Sequence, residues 1–158
     1  MKSGRVITMD AAELWQQLAG SELFASFTEE ERLSFGWAFE REALMCVRRF
    51  ANGNFVCHKD EYQLDLCFIL RGTVDLYAHT PDGSTLKVAS RAEGAFFGEP
   101  GAIRGQPRTT DIVAATDDTR LLYVPRHCLT LLMANPVARR MVTERYQERA
   151  IRVLAPGT

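Results

Sequence analysis

The 158-residue chain is poor in the side chains that most often perform chemistry. Three histidines, His58, His79 and His127, offer few donors for a metal centre or an acid–base relay. The four cysteines, Cys46, Cys57, Cys67 and Cys128, show neither C-x-x-C pairing nor metal-finger spacing. Three of them sit among apolar strand-like residues, which predicts buried reduced thiols, not disulfides. There is no G-x-S-x-G elbow and no serine triad, so an enzyme is not expected. No apolar run approaches membrane-spanning length, and MKSGRVITMD lacks a signal-peptide core. The expected location is the cytoplasm, with no membrane contact. Charge is balanced, 19 basic against 20 acidic residues, which leaves no bulk attraction for nucleic acid or an anionic surface.

What is present fits one domain over residues 1–158 with a sizeable core, at 46% hydrophobic and 25% charged residues. Residues 1–9 read as a flexible lead-in. Asp10 is placed to cap a helix to about Ala19, with Glu13 at the capping-box position. Thr28 with Glu31 opens a second, on which Leu33, Phe35, Trp37, Ala38 and Phe39 dock on the core. From residue 44 the period shortens. Leu44–Phe50, Phe55–Cys57, Asp65–Leu70, Thr73–His79, Thr85–Ala89, Ile112–Thr116 and Leu121–Val124 read as strands, punctuated at Gly53, Gly72, Pro81-Asp82-Gly83 and Gly94. Helical spacing returns over Arg126–Met133 and, after Asn135, over Pro136–Leu154. The fold class is mainly β with flanking α: an antiparallel β-roll or jelly roll over 44–125, N-terminal helices over 1–43 and two C-terminal helices over 126–158.

The stretch FFGEPGAIRGQPRTTDIVA, residues 96–114, concentrates binding chemistry. Gly98 permits close backbone approach, Pro100 suits the start of a helical turn, and Gly101-Ala102 leave amides uncovered. Such amides attract an anion. Arg108 adds a planar, permanently charged fork, and Thr109 adds a hydroxyl. Glu99 suits a sugar hydroxyl better than a phosphate. A hydroxyl acceptor and a phosphate clamp on one loop point to a sugar phosphate or nucleotide.

F-G-E, eight residues, then R-T-x-x-[IV]-x-A resembles the phosphate-binding cassette of cyclic nucleotide-binding domains, the β-roll family of Crp and the regulatory subunits of protein kinase A. Leu70-Arg71-Gly72-Thr73-Val74 resembles the family's strand–glycine–strand corner, and L-F-x-x-F-T-x-x-E its helical lead-in. The resemblance implies a regulatory sensor for cAMP or cGMP. Glu99, beside Gly98, would hold the ribose 2′-hydroxyl and Arg108 the exocyclic phosphate oxygens. Gly101 and Ala102 would offer amides to the phosphate, and Thr109 follows the arginine. It also implies a C-terminal helix that moves as a lid or pairs with a second chain or an effector, with Tyr146 or a nearby arginine stacking on the purine. Three positions depart from the pattern. Asp60 and Gln63 stand where the family often has glycines, so no ligand contact is assigned to His58–Leu64. Asp111 stands where it often has a small or hydroxyl residue.

Other readings stay open at this level. Arg139, Arg140, Arg145, Arg149 and Arg152, with Glu144 and Glu148, also fit a solvated face of intrahelical ion pairs. The chain also fits a ligand-less structural or dimerising domain of the same fold. His58 and Asp60 loosely echo a cupin-like metal enzyme, which lacks its later ligands here. A Crp-like transcription factor requires chain beyond Thr158, and nothing up to that residue would bind nucleic acid by itself.

Overall fold

The computed structural model describes residues 4 to 154, with side chains to Glu148. Arg5–Ile7 (β1) leads into two helices, Ala11–Leu18 (α1) and Glu29–Arg41 (α2). The strands Cys46–Phe50 (β2), Phe55–Cys57 (β3), Leu66–Arg71 (β4), Thr73–His79 (β5), Thr85–Ala92 (β6) and Phe96–Phe97 (β7) follow. A short helix, Glu99–Arg104 (α3), interrupts them before Asp111–Ala114 (β8) and Thr119–Val124 (β9). A 3-10 turn, Arg126–Cys128, then leads into Leu129–Met133 (α4) and Pro136–Leu154 (α5).

Two antiparallel sheets, ordered β1-β2-β9-β4-β7 and β3-β8-β5-β6, pack face to face. Strands β9, β4 and β7 of the first are buried on both sides, which explains their nearly unbroken apolar runs. Cys67, Ile69, Leu121 and Tyr123 point into the layer between the sheets, where Val74, Leu76 and Ile112 of the second sheet meet them. Their neighbours Leu66, Phe68, Leu122 and Val124 point the other way, into a core closed by the helices. Adjacent Phe96 and Phe97 divide between the two cores by the same alternation. The second sheet covers one face only, and its edge strand β6 is largely exposed.

The helices begin as their caps dictate. The Asp10 side chain accepts the Glu13 amide at 2.8 Å. Thr28 and Glu31 form a reciprocal capping box, with bonds of 3.1 and 2.8 Å. The Asn135 carbonyl oxygen accepts the Val137 and Ala138 amides at the start of α5. Its amide nitrogen reaches the Ser26 carbonyl at 3.1 Å and Glu31 at 2.9 Å, so one buried side chain ties α5 to the cap of α2.

Several expectations change. Residues 5–7 of the expected flexible lead-in form a strand: Arg5, Val6 and Ile7 pair with Arg49, Arg48 and Val47, covering the edge of β2. On α2 only Phe35, Ala38 and Phe39 of the expected apolar set are buried. Leu33 and Trp37 are 67% and 59% exposed, because the spacing of 35, 38 and 39 defines the core stripe and the other two lie across the helix from it. Residues 126–133 are a 3-10 turn followed by a short helix, not one segment. Phe96–Phe97 pairs with β4, and β6 runs to Ala92 because its ladder with β5 continues to Thr73. The expected roles of Arg149, Arg152, Val153 and Leu154 concern side chains outside those described.

Candidate nucleotide site

The reversal after β7 requires glycine. Gly98 has φ +95°, and a Cβ there would strike the Arg108 guanidinium and lie 2.5 Å from the Asp65 carbonyl oxygen. α3 starts at the next residue, with Pro100 in its first turn. Gly101 is needed for a second reason: a Cβ would lie 2.7 Å from the Gln63 carbonyl oxygen of the neighbouring loop.

That loop positions the arginine. The Asp60 amide donates to the Arg108 carbonyl at 2.8 Å, and the Arg108 amide donates to the Glu61 carbonyl at 2.9 Å. The side chain then turns inward until only 7% is exposed. Nη2 donates to the Asp65 carbonyl at 3.2 Å and to Cys67 Sγ at 3.7 Å, and the guanidinium carbon lies 5.7 Å from the centre of the Phe97 ring. Nε is buried and has no hydrogen-bond partner among the described residues. Burial pushes the nearby Cys57 thiol up to about 11, with the Arg108 charge opposing it.

Asp60 and Asp111, two of the departures noted in the sequence, are each accommodated locally. Asp60 adopts φ +72°, the conformation that glycine would supply, which aspartate tolerates better than bulkier residues. Asp111 accepts the Lys59 amide at 2.8 Å and pairs with His79 Nε2 at 2.8 Å, tying the loop and β5 to β8. Burial opposes its ionisation, but these two donors outweigh it and hold the carboxyl below its ordinary value.

A cavity of about 370 Å³ opens over the cassette. Gly98, Gly101, Arg108 and Thr109 line it, together with Arg91 and an apolar wall of Leu76, Val88, Ala89 and Ile112. Among the described residues the lining includes two arginines and no acidic side chain, the polarity an anion requires. Glu99 has no exposed surface, and Ala102 is 2% exposed; neither lines the cavity. Tyr146 also lies elsewhere, 5.9 Å from the Arg104 guanidinium carbon, while Arg145 sits over Phe96 at 5.5 Å; these contacts seat α5 against the cassette. Arg91 was missed in the sequence because β6 was expected to stop at Ala89. The signal available was the continued alternation of Ala89 and Arg91 on one face.

A sequence profile described as the cyclic nucleotide-binding domain matches residues 47–135, more than half of the chain. The chain belongs to the cyclic nucleotide-binding domain family. Comparison with curated proteins gives no match. Among solved structures, this domain is similar to the regulatory domain of Toxoplasma gondii PKA co-crystallised with cAMP. That match has a TM-score of 0.71 and 15% identity, covering 87% of this chain and 50% of the other. The sensor domain of the transcriptional regulator DNR from Pseudomonas aeruginosa matches with a TM-score of 0.69 and 16% identity, covering 94% and 96%. A third is the regulatory subunit of a cAMP-independent protein kinase A from Trypanosoma cruzi bound to guanosine, with a TM-score of 0.64 and 22% identity, covering 87% and 48%. The domain thus spans about half the length of the two kinase-type chains. At these identities the likeness establishes the fold. Among the described residues no helix is long and apolar enough to cross a membrane.

Proposed function

We propose that this domain is a non-enzymatic regulatory sensor whose ligand is a cyclic nucleotide, cAMP or cGMP, with Arg108 as the phosphate anchor. The observation that carries the proposal is an arginine only 7% exposed, on the wall of a cavity with no acidic residue among its described lining, its Nε without a hydrogen-bond partner among the described residues. A phosphate in the cavity would give the guanidinium charge-assisted hydrogen bonds, and the buried Nε would join them once the side chain turns toward the ligand. Gly98, Gly101 and Thr109 present the adjoining surface, and the apolar wall suits a purine. The Ala102 amide already donates to the Gly98 carbonyl at 3.0 Å, so its expected contact with the phosphate requires the first turn of α3 to open. Glu99 stands behind the wall, so its contact with the ribose entails a shift of the first turn of α3. Because α5 rests on α3 and Phe96, that shift is the step by which ligand would bias the C-terminal helix. It does so only to the extent that the two helix positions differ in affinity. A second copy or an effector protein reading α5 would complete the signal.

Calorimetric titration with cAMP and cGMP, with 5′-AMP as the linear control, tests this reading. Saturable binding that needs the cyclic phosphate is expected, and the comparison settles the base. Arg108→Leu should weaken binding by about 1.5–3 kcal/mol, or roughly 10- to 150-fold. Equal binding by that variant refutes the assignment. The ligand-less reading has one observation in its favour: Arg108 already donates to Asp65 and Cys67. Failure of folded protein, freed of carried-over nucleotide, to bind either compound would establish it.

A further inference from the structure

On the helical side of the molecule a second cluster of donors meets, built from residues 85 positions apart in sequence. Glu42 is the residue that ends α2. His127 and Cys128 are consecutive in the 3-10 turn, which the Cys128 amide closes by donating to the Pro125 carbonyl at 2.9 Å. Glu42 Oε2 lies 3.2 Å from His127 Nε2, and the three donor atoms, with Cys128 Sγ, all fall within 4.8 Å of one another. The Glu42 and His127 side chains are about half exposed, while Cys128 is buried. All three line one cavity of about 520 Å³, beside Leu33, Ser34, Trp37 and Thr130.

We propose that Glu42, His127 and Cys128 form a three-ligand site for a borderline-soft divalent cation of the zinc type, with a fourth position open to the cavity. A thiolate, a neutral imidazole and a carboxylate together carry two negative charges, which a dication balances. Sulfur and nitrogen donors select against magnesium and calcium, which take oxygen ligands. Ligand bonds of about 2.0–2.3 Å in a tetrahedral site place donors roughly 3–4 Å apart. The present separations reach that range by small turns of the two exposed side chains, while the buried thiol provides a fixed anchor. A surface Glu–His hydrogen bond alone would explain the 3.2 Å contact but not the convergence of a thiol on the same point. The open position makes the site one for a small exogenous donor or water as well as for the ion.

The placement has a consequence for the rest of the molecule. Arg126, adjacent in the chain, donates from Nε to the Ala102 carbonyl at 3.1 Å and from Nη2 to the Ile103 carbonyl at 3.4 Å. A cation on residues 127 and 128 therefore pins to α2 the same turn that grips the end of the cassette helix.

The test is titration of the chelator-treated, reduced full chain with Co²⁺ under anaerobic conditions, followed by competition with Zn²⁺. One equivalent of Co²⁺ should produce a thiolate-to-metal charge-transfer band with tetrahedral d–d absorption, and Zn²⁺ should abolish both. Cys128→Ala should lose the charge-transfer band. Glu42→Gln and His127→Gln, both at the surface, should each weaken Co²⁺ and Zn²⁺ binding by at least about tenfold, the lower bound found even for outer-shell partners. Absence of the band, its persistence in Cys128→Ala, or unchanged affinity in both surface variants would overturn the site. If Cys128→Ala does not fold, as judged by circular dichroism, the two surface variants decide the question.

Discussion

A methyl group added at Gly98 would meet the Arg108 guanidinium and the Asp65 carbonyl, in a backbone region that L-residues avoid. Gly98→Ala is therefore expected to cost more than the roughly 1–2 kcal/mol of a left-handed residue alone, because the arginine must also move. Urea unfolding would show the stability loss, and nucleotide titration a weakened site; unchanged values in both would show that the reversal tolerates a side chain. The contrast with Asp60, which holds φ +72° on an exposed loop, shows that positive φ alone does not demand glycine. The nearby guanidinium and carbonyl do. F-G-E and Arg108 were legible because the cassette is local in sequence. The Asp65 carbonyl and Cys67 Sγ, which hold the guanidinium, lie 43 and 41 residues away and were not.

At the scale of elements, Asn135 and Asp118 each join several segments through one side chain. Asn135→Ala removes the cap of α5 and the bonds to Ser26 and Glu31, so a loss of about 1–3 kcal/mol in urea unfolding is expected. A loss below about 0.5 kcal/mol would show that α5 is held by its apolar face alone. Asp118, at φ +54° in the turn before β9, meets Arg49 at 2.6 Å, Arg71 at 3.0 Å and Arg120 at 2.9 Å. The hydrogen bond from Arg120 lowers its pKa most, burial opposes this, and the charges of Arg120, Arg49 and Arg71 add to the lowering. With the folded value depressed, the stabilisation is fully present above about pH 4, the ordinary aspartate value, and disappears as pH falls through the folded value. Asp118→Asn, which suits the same backbone, should lower stability at pH 7 and flatten its decline below pH 4. Parallel acid limbs for the two proteins would remove Asp118 from that account.

For the molecule as a whole, ligand binding and stability are linked. A nucleotide that binds only the folded state should stabilise it by about 2.7 kcal/mol at one hundred times its Kd. For a domain of this size that corresponds to a rise of roughly 5–10 °C in Tm. Thermal melts with cAMP, cGMP and 5′-AMP should reproduce the order of affinities found by calorimetry. A rise that survives in Arg108→Leu would place the bound nucleotide outside the cassette. α5 should become less mobile in the same liganded state if its seat on α3 is the route of the signal, and hydrogen exchange along Pro136–Leu154 would measure it.

By itself the sequence determined the features whose causes lie within a few residues: the capping box at Thr28, the caps at Asp10 and Asn135, the glycine reversals and the cassette spacing. Hydrogen bonds and steric limits at that range depend on neighbouring residue types, so they can be read in one dimension. The alternation of apolar residues also announced seven of the nine described strands, within one to three residues at most ends, but not Arg5–Ile7 or Phe96–Phe97. Tertiary structure decided what depends on competition between distant segments for burial. It selected Phe35, Ala38 and Phe39 over Leu33 and Trp37 as the inner stripe of α2, and paired Arg5–Ile7 with β2. It brought Arg91 to the cavity while leaving Glu99 behind its wall, and it gathered Glu42, His127 and Cys128 at one point. Each of these outcomes follows from which apolar faces exclude water together, and that is settled only when all the sheets and helices have packed.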